Sequence, residues 1–140
     1  MRAVPYYETL YHEFKSDLRK YPLVKLLDAV MCMANGEGGT IYLGVEDDGS
    51  ISGLHPAHRN LQRIERLLNR YTYPHARVQL SPELADGVVI ARIQVPKSVT
   101  PIKNPAGAYL RRQLQDINQE PQCVRFVPKR INTLVGADLE

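Results

Sequence analysis

A chain of 140 residues, 44% hydrophobic and 24% charged, is long enough for one domain with a real core, and its composition excludes global disorder. A formal net charge of +3 is too mild to name a nucleic-acid binder, so the placement of the charges must decide. The two cysteines, Cys32 and Cys123, show neither a disulfide framework nor zinc-type spacing, and no signal-type core or membrane-length apolar run is present. The chain reads as soluble and cytoplasmic, with no membrane partner.

The first ten residues are aromatic and polar without a period. Tyr11 to Lys15 is a short strand in which Glu13 and Lys15 point one way and Phe14 the other. Glu8 is an odd number of positions from Glu13, so the two carboxylates meet only if the chain turns, or begins a helix, before that strand. Pro22 suits the first turn of a helix. Leu23, Leu26, Leu27, Val30, Met31 and Ala34 then follow at helical spacing, and Asn35-Gly36 supplies the stop. Cys32 and the methionines of this helix are expected as buried filler.

Thr40 to Val45 is a strand, with Ile41, Leu43, Val45 and Asp47 on one face. Asp47-Asp48-Gly49-Ser50 is a turn, and Ile51 to Leu54 is the returning strand. The order helix, glycines, strand is the reverse of what a phosphate-cradling loop requires. The glycines are therefore turn geometry, and no nucleotide cofactor is expected.

Arg59 to Tyr71 is a second helix, with Leu61, Ile64, Leu68 and Tyr71 on its inner side. Arg59, Arg63, Arg66 and Arg70 fall within roughly 60° of one another on the outer side. A solvated face usually mixes signs; four arginines without acids suit phosphates, or else acids from elsewhere in the fold or a second subunit. Ala76 to Leu80 alternates until Pro82 breaks it. Asp86-Gly87 turns the chain into the strand Val88 to Val95, and Pro96 to Pro105 is an irregular loop. Ala108 to Arg111 is a short strand ending in the Arg111-Arg112 pair, a further nucleic-acid-binding candidate. Cys123 to Val127 is an added strand before a basic Lys129-Arg130 tail.

Glu8, Glu13 and Asp47 could converge beside Lys15. Carboxylate clusters bind magnesium or manganese, which polarise a phosphoryl group and activate water, while a lysine stabilises developing negative charge. The bland alternative is a trivial Glu13–Lys15 surface pair. His55 and His58, separated by Pro56 and without nearby cysteines, do not make a zinc site.

The segments Glu8-Thr9-Leu10-Tyr11-His12-Glu13-Phe14-Lys15, Ala34-Asn35, Gly38 to Gly49, Gly53-Leu54 and Tyr109-Leu110-Arg111-Arg112 together resemble the Schlafen core, also called the AlbA-type nucleic-acid-binding domain. The resemblance runs from Glu8 to Arg112, with residues 113–140 as an extension of the same domain. It implies an α+β fold, a mixed β-sheet with two principal helices. It also implies nucleic-acid binding and, as in animal Schlafens, a metal-dependent endoribonuclease acting on structured RNA such as tRNA. The carboxylates of that site match Glu8, Glu13 and Asp47 as metal ligands for Mg2+ or Mn2+, with Lys15 in the lysine position. The chain departs from the pattern at Glu46, an aspartate in the family, and at residues 113–116, where a Gly-Ser-Ser-Thr-like run is missing. Animal Schlafens clamp substrate between two core lobes, so a single core implies a homodimer. The alternative is a non-catalytic module binding DNA or RNA.

Overall fold

A computed structural model describes residues 2–114 and 120–128. Strand β1 (His12–Lys15) is followed by helix α1 (Leu23–Asn35), strand β2 (Gly39–Leu43), helix α2 (Leu61–Arg70) and strands β3 (Gln79–Ala85) and β4 (Val88–Val95). Strands β5 (Leu110–Leu114) and β6 (Pro121–Arg125) form a separate antiparallel pair. The main sheet has the order β1-β2-β4-β3, with β1 parallel to β2 and the other pairings antiparallel. Parallel neighbours need a long crossover, and α1 is that crossover. The α+β architecture with two helices on a mixed sheet is the one expected.

Alternation along the strands divides the core. Ile41, Leu43, Ala91, Ile93 and Val95 face the helices and pack with Leu26, Leu27, Val30, Met31, Ile64 and Leu68. The opposite face buries Phe14, Tyr42, Ile90, Ala85 and Val4. Met31 and Met33 are core residues, as expected. Asn35 does more than stop α1. Its amide donates to the carbonyls of Ile102 (2.7 Å) and Leu110 (2.9 Å) and accepts from Ile102 N (2.7 Å), docking the proline loop and β5. Asp17, fully buried, accepts from Tyr21 N, His55 N and His58 Nδ1 at 2.7–2.8 Å. Those bonds hold the 3-10 turn Pro56–His58 against the segment after β1.

Several local expectations are corrected. Val45 lies on the opposite face from Ile41 and Leu43, packed with Phe14 and Tyr42. The cause is Gly44, whose φ of +107° breaks the alternation; a Cβ there would meet the Gly53 backbone at 2.8 Å. The face shared by Asp47 with Ile41 and Leu43 is lost with it. Ile51 to Leu54 forms no regular strand: Ile51 bridges to Val45, Ser52 N and Gly53 N both donate to Gly44 O, and Leu54 N donates to Val89 O. Pro82 does not interrupt β3. It sits opposite Ala91 on the sheet's edge strand, where no donor is needed on the outer side. Regular pairing begins only at Gln79, because Arg77 has a φ of +63°. Tyr71 is half exposed rather than buried. The boundary drawn after Arg112 falls inside β5, and the strand expected at Cys123 to Val127 is β6, displaced to Pro121–Arg125. Lys129 and Arg130 lie outside the described residues.

The largest correction concerns the cysteines. Cys32 and Cys123 are joined by a disulfide, with Cα atoms 5.9 Å apart, inside the range such a bond requires. Cys32 is buried as expected. Its pairing across 91 residues was invisible because nothing local in the chain says that β6 returns to α1. The bond also withdraws the absence of disulfides from the argument for a cytoplasmic location.

Candidate functional site

The chain does turn between Glu8 and Glu13. Thr9 and His12 bond to each other through their backbones (3.0 and 3.3 Å), and the Thr9 hydroxyl meets His12 Nδ1 at 2.7 Å. This hairpin-like reversal brings Glu8 back beside β1, where its Oε1 accepts from Phe14 N at 2.9 Å. Gly39, at the start of β2, has a φ of +146°, and its missing Cβ lets the Tyr11 carbonyl approach and accept from Thr40 N at 2.8 Å. The turn is thus clamped onto the sheet.

Glu8, Glu13 and Lys15 line one cleft of about 400 Å³ between β1, α1 and the β5–β6 pair. Glu13 Oε2 is 2.8 Å from Lys15 Nζ, and its Oε1 is bound by Arg112 Nη1. The rest of the Arg112 guanidinium donates to backbone carbonyls: Nε to Leu10 (3.0 Å), Nη2 to Thr9 (2.6 Å) and His12 (3.0 Å). Its side chain is only 7% exposed. Arg112 is therefore not a free phosphate-binding arginine but the pin that holds the Glu8–Glu13 turn. Arg111, one residue earlier, alternates outward and lies exposed over the Phe126 ring at 4.6 Å.

Burial pushes the Glu8 carboxyl above the ordinary range, and the nearby Glu13 charge adds to this while the bond from Phe14 N opposes it. Burial acts on Glu13 in the same direction, but the Lys15 and Arg112 cations outweigh it and hold this carboxyl low. Burial disfavours the Lys15 ammonium, yet the Glu13 contact raises it above its usual value. Two carboxyls whose environments push them apart are an arrangement suited to proton transfer.

Asp47 does not join them. It is exposed in the turn beyond β2 and does not line the cleft. Among the described residues no three His, Cys, Asp or Glu side chains are grouped to hold a metal ion. Both oxygens of Glu13 already face cations. This donor set does not fit a divalent ion shared by Glu8, Glu13 and Asp47. The cleft also takes Tyr21, Lys25 and Asp28, which were not singled out from the sequence. Lys25, Asp28 and Cys32 stand at i, i+3 and i+7 on one stripe of α1, a pattern that could have shown a helix face turned toward a site.

Arg59, Arg63, Arg66 and Arg70 are all exposed, and none forms an ion pair among the described residues. Arg59, expected on the helix, stands outside it, because Asn60 caps α2 by accepting from Arg63 N and the helix begins at Leu61. Glu65, the acid of that helix, is engaged elsewhere: its Oε1 accepts from Leu80 N at 2.8 Å and ties α2 to β3. The inner side is carried by Ile64 and Leu68.

Together these features define a small α+β domain with an acid–base cleft on one helix and an unpaired arginine face on the other. Residues 8–119 match the Schlafen, AlbA_2 family model, and the chain belongs to that family of nucleic-acid-binding domains. Among solved structures, the DIP2311 protein from Corynebacterium diphtheriae is similar over 82% of this chain, with a TM-score of 0.64 and 21% identity. This match spans 22% of the Corynebacterium chain. The N-terminal domain of a RecG-related protein from Nitrosomonas europaea, named for an ATP-dependent DNA helicase, is similar over 95% of this chain and 89% of its own. The TM-score there is 0.51, at 16% identity. At these identities the likeness is one of fold. No helix among the described residues is long and apolar enough to cross a membrane.

Proposed function

We propose that this domain binds nucleic acid through the arginine face of α2. The observation that carries the reading is that Arg63, Arg66 and Arg70 lie exposed on one helix, with Arg59 exposed just before it, and that the helix's glutamate is engaged by the backbone of β3. Guanidinium groups without local acids are free to neutralise phosphates and release their counterions. Reversing Arg63 and Arg66 to glutamate is expected to weaken binding to RNA and DNA by at least tenfold and to flatten its salt dependence by about two counterions. Fluorescence anisotropy across a salt series measures both. Unchanged affinity and slope would assign the stripe to folding or to contacts between protein subunits.

A second reading, cleavage of structured RNA such as tRNA, is favoured by the meeting of Glu8, Glu13 and Lys15 in one cleft. The chemistry on offer there is acid–base: Glu8 takes the proton of the ribose 2′-hydroxyl as that oxygen bonds to phosphorus, returns it to the 5′ oxygen as the P–O5′ bond breaks, and Lys15 stabilises charge on the phosphate, which leaves as a 2′,3′-cyclic ester. Glu8→Gln keeps an acceptor for Phe14 N and should abolish cleavage in a gel assay of labelled tRNA. The same variant has a second readout. A carboxyl raised in the folded state withdraws stability as pH climbs from its ordinary 4.5 through the folded value. Glu8→Gln should therefore melt higher than wild type at neutral pH and alike below pH 4.5. No cleavage by the wild type, with salt-sensitive binding retained, would leave a binding module only. Cleavage that requires magnesium or manganese and disappears in Asp47→Ala would restore the metal-dependent scheme. The homodimer belongs to this reading, and its best-suited surface is the β3–β4 hairpin, where Leu84 (71% exposed), Val88 and Val89 stand beside an edge strand.

A further inference from the structure

The segment after α2 is irregular, yet its burial alternates, broken only by the half-buried Pro74. Thr72, Ala76 and Val78 point inward and are buried; Tyr71, Tyr73, His75 and Arg77 point outward and are exposed. Tyr71 is 50% and Tyr73 74% exposed, large values for aromatic rings in a segment that is otherwise firmly built. The Thr72 hydroxyl donates to Leu68 O (3.0 Å) and accepts from Ala76 N (2.8 Å). The Asn69 side chain accepts from Val78 N (2.7 Å) and donates to Val78 O (3.1 Å). His75 Nδ1 faces the carbonyls of Asn69 and Thr72, so it is a donor, which leaves Nε2 toward solvent. Tyr73 pairs through its backbone with Lys103, itself exposed. A fixed scaffold thus displays two aromatic faces with cations around them.

Beside this row runs a groove of about 720 Å³ between α2 and the start of β3, where Arg66, Arg70, His75 and Arg77 meet. Glu65 and Asn69 are engaged by the backbone of β3 and the segment before it, and three arginines there face one carboxylate, so the groove is cationic. Arg70 also lies over the Tyr71 ring at 5.6 Å.

Resting on the nucleic-acid reading above, we infer that Tyr71 and Tyr73 stack the bases of a single strand whose phosphates lie against Arg66, Arg70 and Arg77. Arginines alone serve duplex and single strand equally. Exposed ring faces do not, because a duplex has its base faces already stacked.

The test uses fluorescein-labelled oligouridylate, oligothymidylate and a hairpin duplex, with anisotropy as the readout. Both tyrosines are exposed, so Tyr71→Ala and Tyr73→Ala should fold as wild type does. Each is expected to weaken single-strand binding on the order of tenfold and leave duplex binding unchanged, while Tyr73→Phe keeps wild-type affinity. Single-strand affinity that survives Tyr71→Ala and Tyr73→Ala but is lost on reversal of Arg63 and Arg66 overturns the stacking site and leaves the arginine reading intact. Loss of single-strand and duplex binding alike in the tyrosine variants overturns it too. Absence of wild-type binding to all three probes removes the arginine reading, and the stacking site with it.

Discussion

Replacing Arg112 with methionine is expected to destabilise the domain by about 3–5 kcal/mol. Methionine keeps an apolar stem but no donor. The change strips the carbonyls of Thr9, Leu10 and His12 of a partner at once, and leaves Glu13 with Lys15 alone. Thr9 O and His12 O keep the bonds they accept from each other's N–H, so Leu10 O is the acceptor left without this partner, at about 1–3 kcal/mol when nothing replaces the bond. Water reaching the partly open cleft will recover some of that. At roughly 2–4 °C per kcal/mol for a chain of this size, thermal unfolding should fall by about 10 °C. A double-mutant cycle with Glu13→Gln separates the ion pair from the carbonyl bonds. If the cycle shows the carbonyl bonds contribute most, Arg112 is chiefly the pin of the Glu8 turn. A melting point within a degree or two of wild type would show that the turn is held by Gly39 and the β1–β2 pairing instead. The side chain also bears on chemistry. With Arg112 gone, Glu13 loses one of the cations that hold its carboxyl low, and Glu8 loses one that opposes its rise.

Breaking the Cys32–Cys123 bond is the second large effect. The bond closes 91 residues, and in the chain-entropy account a loop of that size corresponds to about 4–5 kcal/mol. Cys123→Ser alters an exposed residue and leaves Cys32 as a small buried thiol, so little packing is lost. Urea denaturation with and without dithiothreitol provides the comparison. Reductant should lower the wild-type midpoint and leave Cys123→Ser unmoved. A wild-type midpoint indifferent to reductant would mean that β6 is held to α1 by packing alone. The consequence reaches the cleft, because Cys123 stands directly across from Arg112 in the β5–β6 pairing and both cysteines line the cavity. Loosening β6 loosens the strand that presents the pin.

The parts of this fold legible in the chain are those set by local periodicity. The 3.6-residue spacing of Leu23, Leu26, Leu27 and Val30 marks α1, and the two-residue spacing of Val88 to Val95 marks β4, because a repeat of apolar side chains needs no distant partner to be recognised. The outward arginines of α2 were visible for the same reason, as was the condition that Glu8 reaches Glu13 only through a turn. The family pattern added the fold class, which the sheet order and the family match both bear out.

What the tertiary structure decided are the places where one segment meets another far along the chain. Whether Arg111 or Arg112 faces solvent depends on which side of β5 lies against α1. The inward residue then found the Thr9–His12 carbonyls about a hundred positions away. Gly44 turned Val45 to the other face of the sheet, and Asp47 left the acidic pair with it, a consequence of one positive φ that periodicity does not foresee. Pro82 stayed in β3 because that strand proved to be an edge. Tyr71, placed on the inner side by helical spacing, emerged exposed because α2 ends at Arg70 and the chain changes direction there. By itself the sequence determined α1, the body of α2, β1, β2 and β4, the outward arginines of α2 and the need for a turn before β1. Only the folded chain decided that Glu8, Glu13 and Lys15 share a cleft with a buried arginine in place of a third carboxylate, because long-range contacts follow from packing whole faces together and leave no repeat in the chain to announce them.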